Sequence, residues 1–273
     1  MQKELESQVS SLRQIKPLVL CLTNFVTMDL VANSLYALGA SPLMSQSRDE
    51  LEELVSISQA AYINIGTLDH DFCERALLTV QLAKSQNKPV ILDPVGAGAS
   101  RLRTEAAKAL LPFVSIVRAN ASEILALADN RRETKGVEAT HSVNQAASAA
   151  KSWAASTTKI AVVSGPVDLV TDGNQALNLP YGSYLMPLIT GMGCTLSAVI
   201  AAFAALNPNP FQAAFMATAY FGLCGQQTDR QTQELGSFKE FFINALFKPD
   251  WELFKEWIDA ADKVSPNQNW IKS

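Results

Sequence analysis

Short runs of apolar residues alternate with segments of helical periodicity along most of the chain. The runs are continuous rather than alternating, which is typical of strands buried on both faces of a parallel sheet. The segments predicted as strands lie at residues 17–22, 40–45, 61–68, 89–92, 114–118 and 159–165. The pattern predicts an α/β fold with a doubly wound, mostly parallel central sheet flanked by helices.

Two segments depart from the alternation. Residues 168–179 have the pattern of a β-hairpin with Asp172, Gly173 and Asn174 at its turn, so we expect an antiparallel hairpin appended to the sheet. Residues 129–143 are polar and predict a surface loop or flap rather than a domain boundary. We therefore expect a single domain over residues 1–273.

The segment from residue 189 to residue 203 organises the rest of the chain. An extended β-branched pair is followed by Gly191 and Gly193, and then by a long apolar run that predicts a buried helix. The first N–H groups of a helix lack intrahelical partners and lie at the positive end of its dipole, so this segment favours an anion site. Cys194 lies in the first turn, where the dipole is expected to lower its thiol pKa; a small core cysteine is the alternative.

Other chemically useful residues follow the predicted strands, where open α/β sheets bind their ligands. Asn24 could bind a substrate or cap a helix, and Met44 could form an apolar wall or pack in the core. Asp93 could bind a hydrated cation or cap a turn. Glu123 lies in the first turn of a helix, where a capping role is the simpler interpretation. As a pair, Asp93 and Glu123 suit Mg²⁺, which takes few protein oxygens and retains water and phosphate ligands.

Composition narrows the class of protein. The formal net charge is −4, and no cluster of Lys or Arg has the character of a nucleic-acid footprint, so no nucleic-acid partner is expected. The longest apolar run, residues 196–206, is too short to span a bilayer, and no membrane association is expected. Four cysteines without metal-type spacing predict reduced thiols, and the charged amphipathic N-terminus predicts a helix rather than a secretion signal. A cytoplasmic location follows as an expectation.

The motifs at the strand ends, taken in order, resemble the hydroxyethylthiazole kinases of the ribokinase-like superfamily. The motifs that carry the resemblance are Leu22-Thr23-Asn24 with Ala32-Asn33; Leu38-Gly39-Ala40-Ser41-Pro42-Leu43-Met44; Asn64-Ile65-Gly66-Thr67-Leu68; Leu92-Asp93-Pro94-Val95-Gly96-Ala97-Gly98; Arg118-Ala119-Asn120-Ala121-Ser122-Glu123-Ile124; Val170-Thr171-Asp172-Gly173; and Thr190-Gly191-Met192-Gly193-Cys194. They extend over nearly the whole chain, and jointly they are much more specific than the glycine segment alone.

The resemblance implies phosphorylation of the primary alcohol of 4-methyl-5-(2-hydroxyethyl)thiazole by ATP and Mg²⁺, in a homotrimer whose substrate pockets lie between subunits. It also assigns roles to individual residues. The catalytic anion hole would be formed by Gly191, Gly193 and Cys194; the thiazole pocket by Met44, Asn24, Gly66, Thr67 and Gly191; the ATP site by Arg118, Ser164 and Asn120; and the Mg²⁺ site by Asp93 and Glu123.

Two positions depart from the family pattern. Ala119 replaces the usual glycine after Arg118, where the loop approaches ATP. Cys194 stands where many superfamily members have Asp, and a thiol is a poor base at neutral pH unless its pKa is lowered. We therefore expect weak base catalysis by Cys194, with positioning and charge stabilisation supplying most of the rate.

Three rival classes of protein are consistent with parts of the pattern. A kinase for another small alcohol, such as a hydroxymethylpyrimidine or a sugar, would share the phosphate chemistry. An NAD-dependent dehydrogenase would need GxGxxG directly after an early strand, which this chain lacks. A catalytically silent binding protein would not need Asp93, Glu123 and the glycine segment together.

Overall fold

A computed structural model describes residues 1–129 and 143–264 of the protein. The predicted loop at 129–143 lies outside these residues except for its two ends. Eight strands form one sheet in the order β2-β1-β3-β4-β5-β6-β7-β8. The strands are β1 Leu18–Leu22, β2 Ser41–Met44, β3 Ala60–Asn64, β4 Val90–Asp93, β5 Ile116–Asn120, β6 Ile160–Ser164, β7 Asp168–Thr171 and β8 Ala176–Leu179.

Strands β1 to β6 are parallel, and β7 pairs antiparallel with both β6 and β8, which confirms the predicted mostly parallel sheet with an appended hairpin. The turn of the hairpin is held by Asp172, whose Oδ1 accepts hydrogen bonds from the N–H groups of Asn174 and Gln175, both at 2.8 Å. This Asx-type geometry is the reason that an Asp-Gly-Asn sequence favours a turn.

Helices cover both faces of the sheet. They are α1 Gln2–Ile15, α2 Met28–Leu38, α3 Leu51–Ile57, α4 His70–Ser85, α5 Arg101–Leu110, α6 Ala121–Ala128, α7 Val143–Thr157, α8 Met192–Ala204, α9 Pro210–Gln231, α10 Leu235–Phe247 and α11 Trp251–Val264. Helices α3 to α7 pack on one face and the others on the opposite face, which gives two hydrophobic cores. The predicted doubly wound arrangement is confirmed.

Side chains of the parallel strands alternate between the two cores. Val19 and Cys21 of β1 lie in the core with α8, whereas Leu20 and Leu22 lie in the other. Such burial on both faces explains why these strands have continuous apolar sequences. Helix α8 is apolar around nearly its whole circumference because it is buried between the sheet and α9.

The order in which strands are added to the sheet reverses between β1 and β3. Strand β2 lies on one side of β1, whereas β3 to β6 follow one another on the other side. A crevice at the carboxyl end of such strands is where doubly wound proteins bind their ligands. The structure thus places Asn24, which follows β1, and Gly66, which follows β3, at this topological switch point.

Candidate active site

The glycine segment begins α8, as the sequence predicts. Gly191 is the N-cap residue with φ +96°, and a Cβ at this position would lie 2.8 Å from Cγ2 of Thr27. The first intrahelical bond runs from the N–H of Thr195 to the carbonyl of Gly191, at 2.8 Å. The N–H groups of Gly193 and Cys194 precede that bond and have no intrahelical partner, so they are available to an anion.

The residues before α8 differ from their prediction. Ile189, which follows a short 3₁₀ helix at Met186–Leu188, has extended dihedral angles (φ −100°, ψ +116°), whereas Thr190 lies in a turn, so the predicted extended pair is confirmed only at Ile189. Strand β3, which begins at Ala60, is also shorter than predicted and ends at Asn64. Gly66 and Thr67 consequently lie in the loop beyond the strand, next to the crevice.

Arg118 lies against the first turn of α8. A Cβ at Gly193 would lie 2.6 Å from Nη2 of Arg118, so the close approach of the guanidinium requires glycine. Arg118 donates from Nε to Oγ of Ser164 at 3.0 Å, and its Nη1 lies 3.8 Å from Oδ2 of Asp93. A positive side chain, a helix N-terminus and a carboxylate therefore meet at the ends of β4, β5 and β6.

Asp93 is completely buried at the end of β4. Its Oδ2 accepts a hydrogen bond from Oγ of Ser197 at 2.9 Å, whereas its Oδ1 has no hydrogen-bond partner within the part of the chain that the structure describes. Burial raises the pKa of Asp93 to about 6; Arg118 opposes the shift and Glu123 adds to it. A buried carboxylate oxygen without a partner is costly unless a proton, water or cation satisfies it.

Ser197 was not singled out in the sequence because it lies within the apolar run of α8. Its Oγ contacts both Oδ2 of Asp93 and, at 3.3 Å, the carbonyl of Gly193 one turn earlier. The available sequence signal is a hydroxyl within an apolar run, since a buried hydroxyl needs a partner, but Thr195 of the same helix gives the same signal.

Removal of the Ser197 hydroxyl is expected to alter the titration of Asp93. The hydrogen bond from Ser197 favours the ionised carboxylate, so Ser197→Ala should raise the pKa of Asp93 further. If ionised Asp93 is required, the acidic limb of the kcat/KM profile should move to higher pH by about one unit. Profiles of Ser197→Ala and of Ser152→Ala, an exposed serine of α7, should therefore differ; coincident acidic limbs would contradict the assignment.

Glu123 is held as a helix cap. Its Oε2 accepts from the N–H of Asn120 and its Oε1 from the N–H of Gly96, both at 2.9 Å, while Oδ1 of Asn120 accepts from the N–H of Glu123. The simpler capping interpretation is therefore confirmed. Glu123 also fixes the loop after Asp93, and within residues 1–129 and 143–264 no cluster of three or more metal-ligating His, Cys, Asp or Glu side chains is found.

The side chains of two asparagines connect the loops that meet at the switch point. Nδ2 of Asn24 donates to Oδ1 of Asn64 at 3.0 Å and to Sγ of Cys194 at 3.4 Å. Oδ1 of Asn64 also accepts from the N–H of Gly66 at 2.9 Å, and Nδ2 of Asn64 donates to the buried hydroxyl of Tyr62. The sequence motif contained Asn64, but only the structure reveals that it joins the loops of β1 and β3 beneath the crevice.

Cys194 has a pKa that is raised rather than lowered. Burial is the larger cause and the nearby Asp93 carboxylate adds to it, whereas hydrogen bonds from neighbouring polar side chains only partly oppose the shift. The expected lowering of the Cys194 pKa is therefore wrong, because burial disfavours the charged thiolate. Cys194 is a neutral thiol at neutral pH.

The remaining predicted pocket residues lie around the same crevice. Met44 ends the edge strand β2, opposite Cys21 of β1, and is half-buried against the core. Oγ1 of Thr67 accepts a hydrogen bond from the N–H of Phe25 at 3.2 Å, which links the loops after β3 and β1. The position of Met44 and the hydrogen bond between Phe25 and Thr67 are both consistent with a small pocket at the switch point.

Ala119 does not face the crevice. It is completely buried in the core with α3 to α7, since adjacent residues of a strand point to opposite faces and Arg118 occupies the other face. Replacement of glycine by alanine at this position therefore adds a core methyl group.

A second buried carboxylate lies near Arg118. The side chain of Asp168 accepts a hydrogen bond from the N–H of Gly165, just after Ser164. Burial raises the pKa of Asp168 to about 6, and the positive charge of Arg118 opposes this shift.

The three-layer α/β/α arrangement with this strand order is the ribokinase-like fold. Solved structures agree: a pyridoxal kinase from Staphylococcus aureus has a TM-score of 0.61 at 19% identity and covers 77% of this chain and 88% of its own. That similarity shows the fold alone. A hydroxyethylthiazole kinase protein from Pyrococcus horikoshii OT3 has a TM-score of 0.85 at 32% identity, over 93% of this chain and 96% of its own.

Sequence comparison specifies the family. The family model of the hydroxyethylthiazole kinases matches residues 9–252. Hydroxyethylthiazole kinase of Chlamydia abortus is 42% identical over 261 residues, which cover 95% of this chain and 100% of the relative. The enzyme of Desulfotalea psychrophila is 41% identical over 241 residues, 88% of each chain. The chain belongs to the hydroxyethylthiazole kinase family, and the predicted resemblance is confirmed.

Proposed function

We propose that this protein transfers the γ-phosphoryl group of ATP to the hydroxyl of 4-methyl-5-(2-hydroxyethyl)thiazole. One observation carries the proposal: Asn24 contacts Cys194, so the crevice between β1 and β3 meets the N-terminus of α8. An acceptor alcohol bound over the asparagines would face a phosphate bound at α8. Phosphoryl transfer depends mainly on such positioning and on stabilisation of charge.

The phosphate half of the site would consist of backbone groups and Arg118. The N–H groups of Gly193 and Cys194 would donate to the oxygens of the transferred group, and the guanidinium of Arg118 would neutralise part of their charge. Ser164 orients Arg118 through the 3.0 Å hydrogen bond to Nε. The Oδ1 atom of Asn120 is already used in the capping box, so any contact of Asn120 with ATP would involve the rest of its amide.

Mg²⁺ would bind near Asp93, where the unpartnered Oδ1 atom fits a metal-bound water. Bound Mg²⁺ neutralises phosphate charge during transfer. Glu123, whose two oxygens already accept backbone N–H groups, would contribute negative charge and hold the loop rather than form a direct bond to the ion.

The raised pKa of Cys194 limits its role in proton removal. Phosphoryl transfer passes through a loose transition state in which the acceptor alcohol needs little deprotonation. Asp93 lies in the same site, and its pKa of about 6 is lower than that of the Cys194 thiol, so its carboxylate would be the better final acceptor of the proton at neutral pH. Cys194 would instead contribute its backbone N–H and line the pocket.

Loss of the Cys194 thiol should therefore have a small effect. Cys194→Ala keeps the backbone N–H, and we expect kcat to fall by no more than about tenfold, below the usual contribution of a general base. Steady-state assays should compare it with Cys73→Ala, a half-buried cysteine of α4. A loss of about a thousandfold in Cys194→Ala alone would restore the base role.

The proposed assembly is a homotrimer with pockets completed by a neighbouring subunit. Phe25, Val26 and Leu188 are 60%, 70% and 60% exposed, and these segments approach Gly191, which packs against Thr27. Exposed apolar groups around a site are typical of interfaces. Sedimentation of the wild type should give three times the chain mass, and Val26→Asp should dissociate the trimer and reduce activity together; an active monomer would contradict the arrangement.

A cytoplasmic location is also proposed, because all four cysteines are free thiols, as expected in a reducing compartment. No helix among the described residues is long and apolar enough to cross a membrane.

A coupled assay with Mg²⁺ and ATP tests the proposed substrate. Hydroxyethylthiazole should be turned over in preference to hydroxymethylpyrimidine and ribose. Turnover of another alcohol without the thiazole would retain the phosphoryl-transfer chemistry but contradict the assignment of Asn24 and Met44 to a thiazole pocket.

A further inference from the structure

Arg103 lies beneath two loops that carry opposite halves of the site. Its Nη1 donates to the carbonyls of Ile65, at 3.2 Å, and Val95, at 2.8 Å, and its Nη2 donates to the carbonyl of Gly66 at 2.8 Å. The first loop follows β3 and borders the acceptor crevice. The second follows β4 and Asp93. One guanidinium therefore joins the acceptor side of the site to the metal side.

We propose that Arg103 is a positioning residue for phosphoryl transfer: it holds the loop after β3 in register with the loop after β4. The proposal rests on the proposed function, because it assumes that these loops present the acceptor and the metal to each other. Arg103 itself contacts neither reactant. Its role is to fix the distance between them, on which the rate of transfer depends steeply.

The second loop is shaped around this side chain. Gly96 has φ +77°, and a Cβ there would lie 2.9 Å from Cδ of Arg103. The N–H of Gly96 donates to Oε1 of Glu123 at 2.9 Å. A continuous chain of contacts thus runs from Gly66 through Arg103 and the Val95-Gly96 peptide to Glu123.

The local structure places Arg103 for this role. Ser100 caps α5, and its Oγ accepts a hydrogen bond from the N–H of Arg103 at 3.3 Å, which fixes Arg103 in the first turn. Among the described residues, no carboxylate forms an ion pair with Arg103. The neighbouring Arg101 differs: its side chain is 88% exposed and pairs with Glu105 at 2.7 Å.

The contacts require a guanidinium rather than only a positive charge. Three carbonyls are bound by two terminal nitrogens of one rigid planar group. A lysine ammonium is a point charge on a flexible chain and cannot reproduce this spacing. Arg103→Lys should therefore not act as a conservative substitution.

The test compares the wild type, Arg103→Ala, Arg103→Lys and Arg101→Ala with thiazole, ATP and Mg²⁺. We expect Arg103→Ala to lower kcat about a hundredfold and to raise KM for thiazole more than KM for ATP, because Arg118 and α8 are untouched. Arg103→Lys should retain less than about a tenth of the activity. Arg101→Ala should match the wild type within about twofold.

Chemical rescue separates positioning from general stability. Guanidinium chloride at roughly 10 mM, far below denaturing concentrations, should restore the rate of Arg103→Ala at least about tenfold and leave the wild type and Arg101→Ala unchanged. A folded Arg103→Ala that retains near wild-type kcat, or that loses activity and does not respond to guanidinium, would overturn the proposal.

If Arg103→Ala does not fold, Arg103→Lys decides the matter. At unchanged Tm, a loss of kcat/KM of tenfold or more supports the role, and wild-type activity overturns it. Failure of the proposed function would be distinguishable, because the wild type itself would then not phosphorylate thiazole.

Discussion

Asp93→Asn is expected to lower kcat by about a thousandfold, the largest effect of any single substitution considered for this site. Asparagine preserves the size of the side chain and can accept the hydrogen bond that Oδ2 receives from Ser197. It removes the negative charge that would organise Mg²⁺ and accept the proton of the alcohol. Steady-state assays over a range of Mg²⁺ concentrations would measure the loss, and activity within tenfold of the wild type would contradict the assignment.

The same substitution should stabilise the protein without metal. Burial raises the pKa of Asp93 from 3.8 to about 6 in the folded protein. Between these two values the folded state binds more protons than the unfolded chain, so stability falls as the pH rises from about 4 to about 6. A shift of about two units corresponds to about 3 kcal/mol above pH 6, and none of this cost applies to asparagine.

Urea unfolding in EDTA should therefore show a free energy of unfolding about 3 kcal/mol greater for Asp93→Asn than for the wild type at pH 8. The two proteins should converge near pH 4, where Asp93 is protonated in the folded state. Asp71→Asn, on the exposed first turn of α4, should change stability by only a few tenths of a kcal/mol. A destabilised Asp93→Asn at pH 8 would mean that the buried charge is better compensated than its contacts indicate.

Gly193→Ala is expected to lower kcat/KM by about a hundredfold while the fold remains intact. Alanine is favoured over glycine inside a helix by about 1 kcal/mol, so the backbone gains from the change. The new methyl group, however, would occupy the position of the Arg118 guanidinium, with Nη2 only 2.6 Å away. Arg118 would be displaced from Ser164 and Asp93, and the anion site would lose its fixed positive charge.

A double-mutant cycle with Arg118→Ala tests this reason. Once the guanidinium is absent, Gly193→Ala should cost little more, so the two effects should be far from additive. Gly236→Ala provides the matched control, because a Cβ at this α10 position meets nothing within 4 Å. Additive losses in the cycle would show that the methyl group acts on the ligand directly.

The fold could be predicted from the sequence because the residues that determine each strand, helix and turn lie within one short segment. Continuous apolar runs define strands buried on both faces, and the Asp172 turn defines a hairpin. Strand ends such as Asn24 and Asp93 could be placed at one edge of the sheet, since parallel strands all end there. The start of α8 was also predicted correctly, because Gly191 and Gly193 stand directly before a long apolar run.

The interior of the site could not be predicted, because it depends on contacts between distant segments. Asn24 and Asn64 meet only because β1 and β3 are adjacent at the switch point. Arg103 reaches Gly66 across 37 residues of sequence. The direction of the Cys194 pKa shift could not be predicted, because the position of Cys194 at a helix start is visible in the sequence, whereas its burial is not.

A crystal structure of the wild type with thiazole, a non-hydrolysable ATP analogue and Mn²⁺ in place of Mg²⁺ would test the central claim most directly. The γ-phosphate should accept hydrogen bonds from the N–H groups of Gly193 and Cys194, with the thiazole over Asn24 and the anomalous Mn²⁺ signal on the Asp93 side. A γ-phosphate bound away from the N-terminus of α8, or a thiazole outside the crevice between β1 and β3, would contradict it.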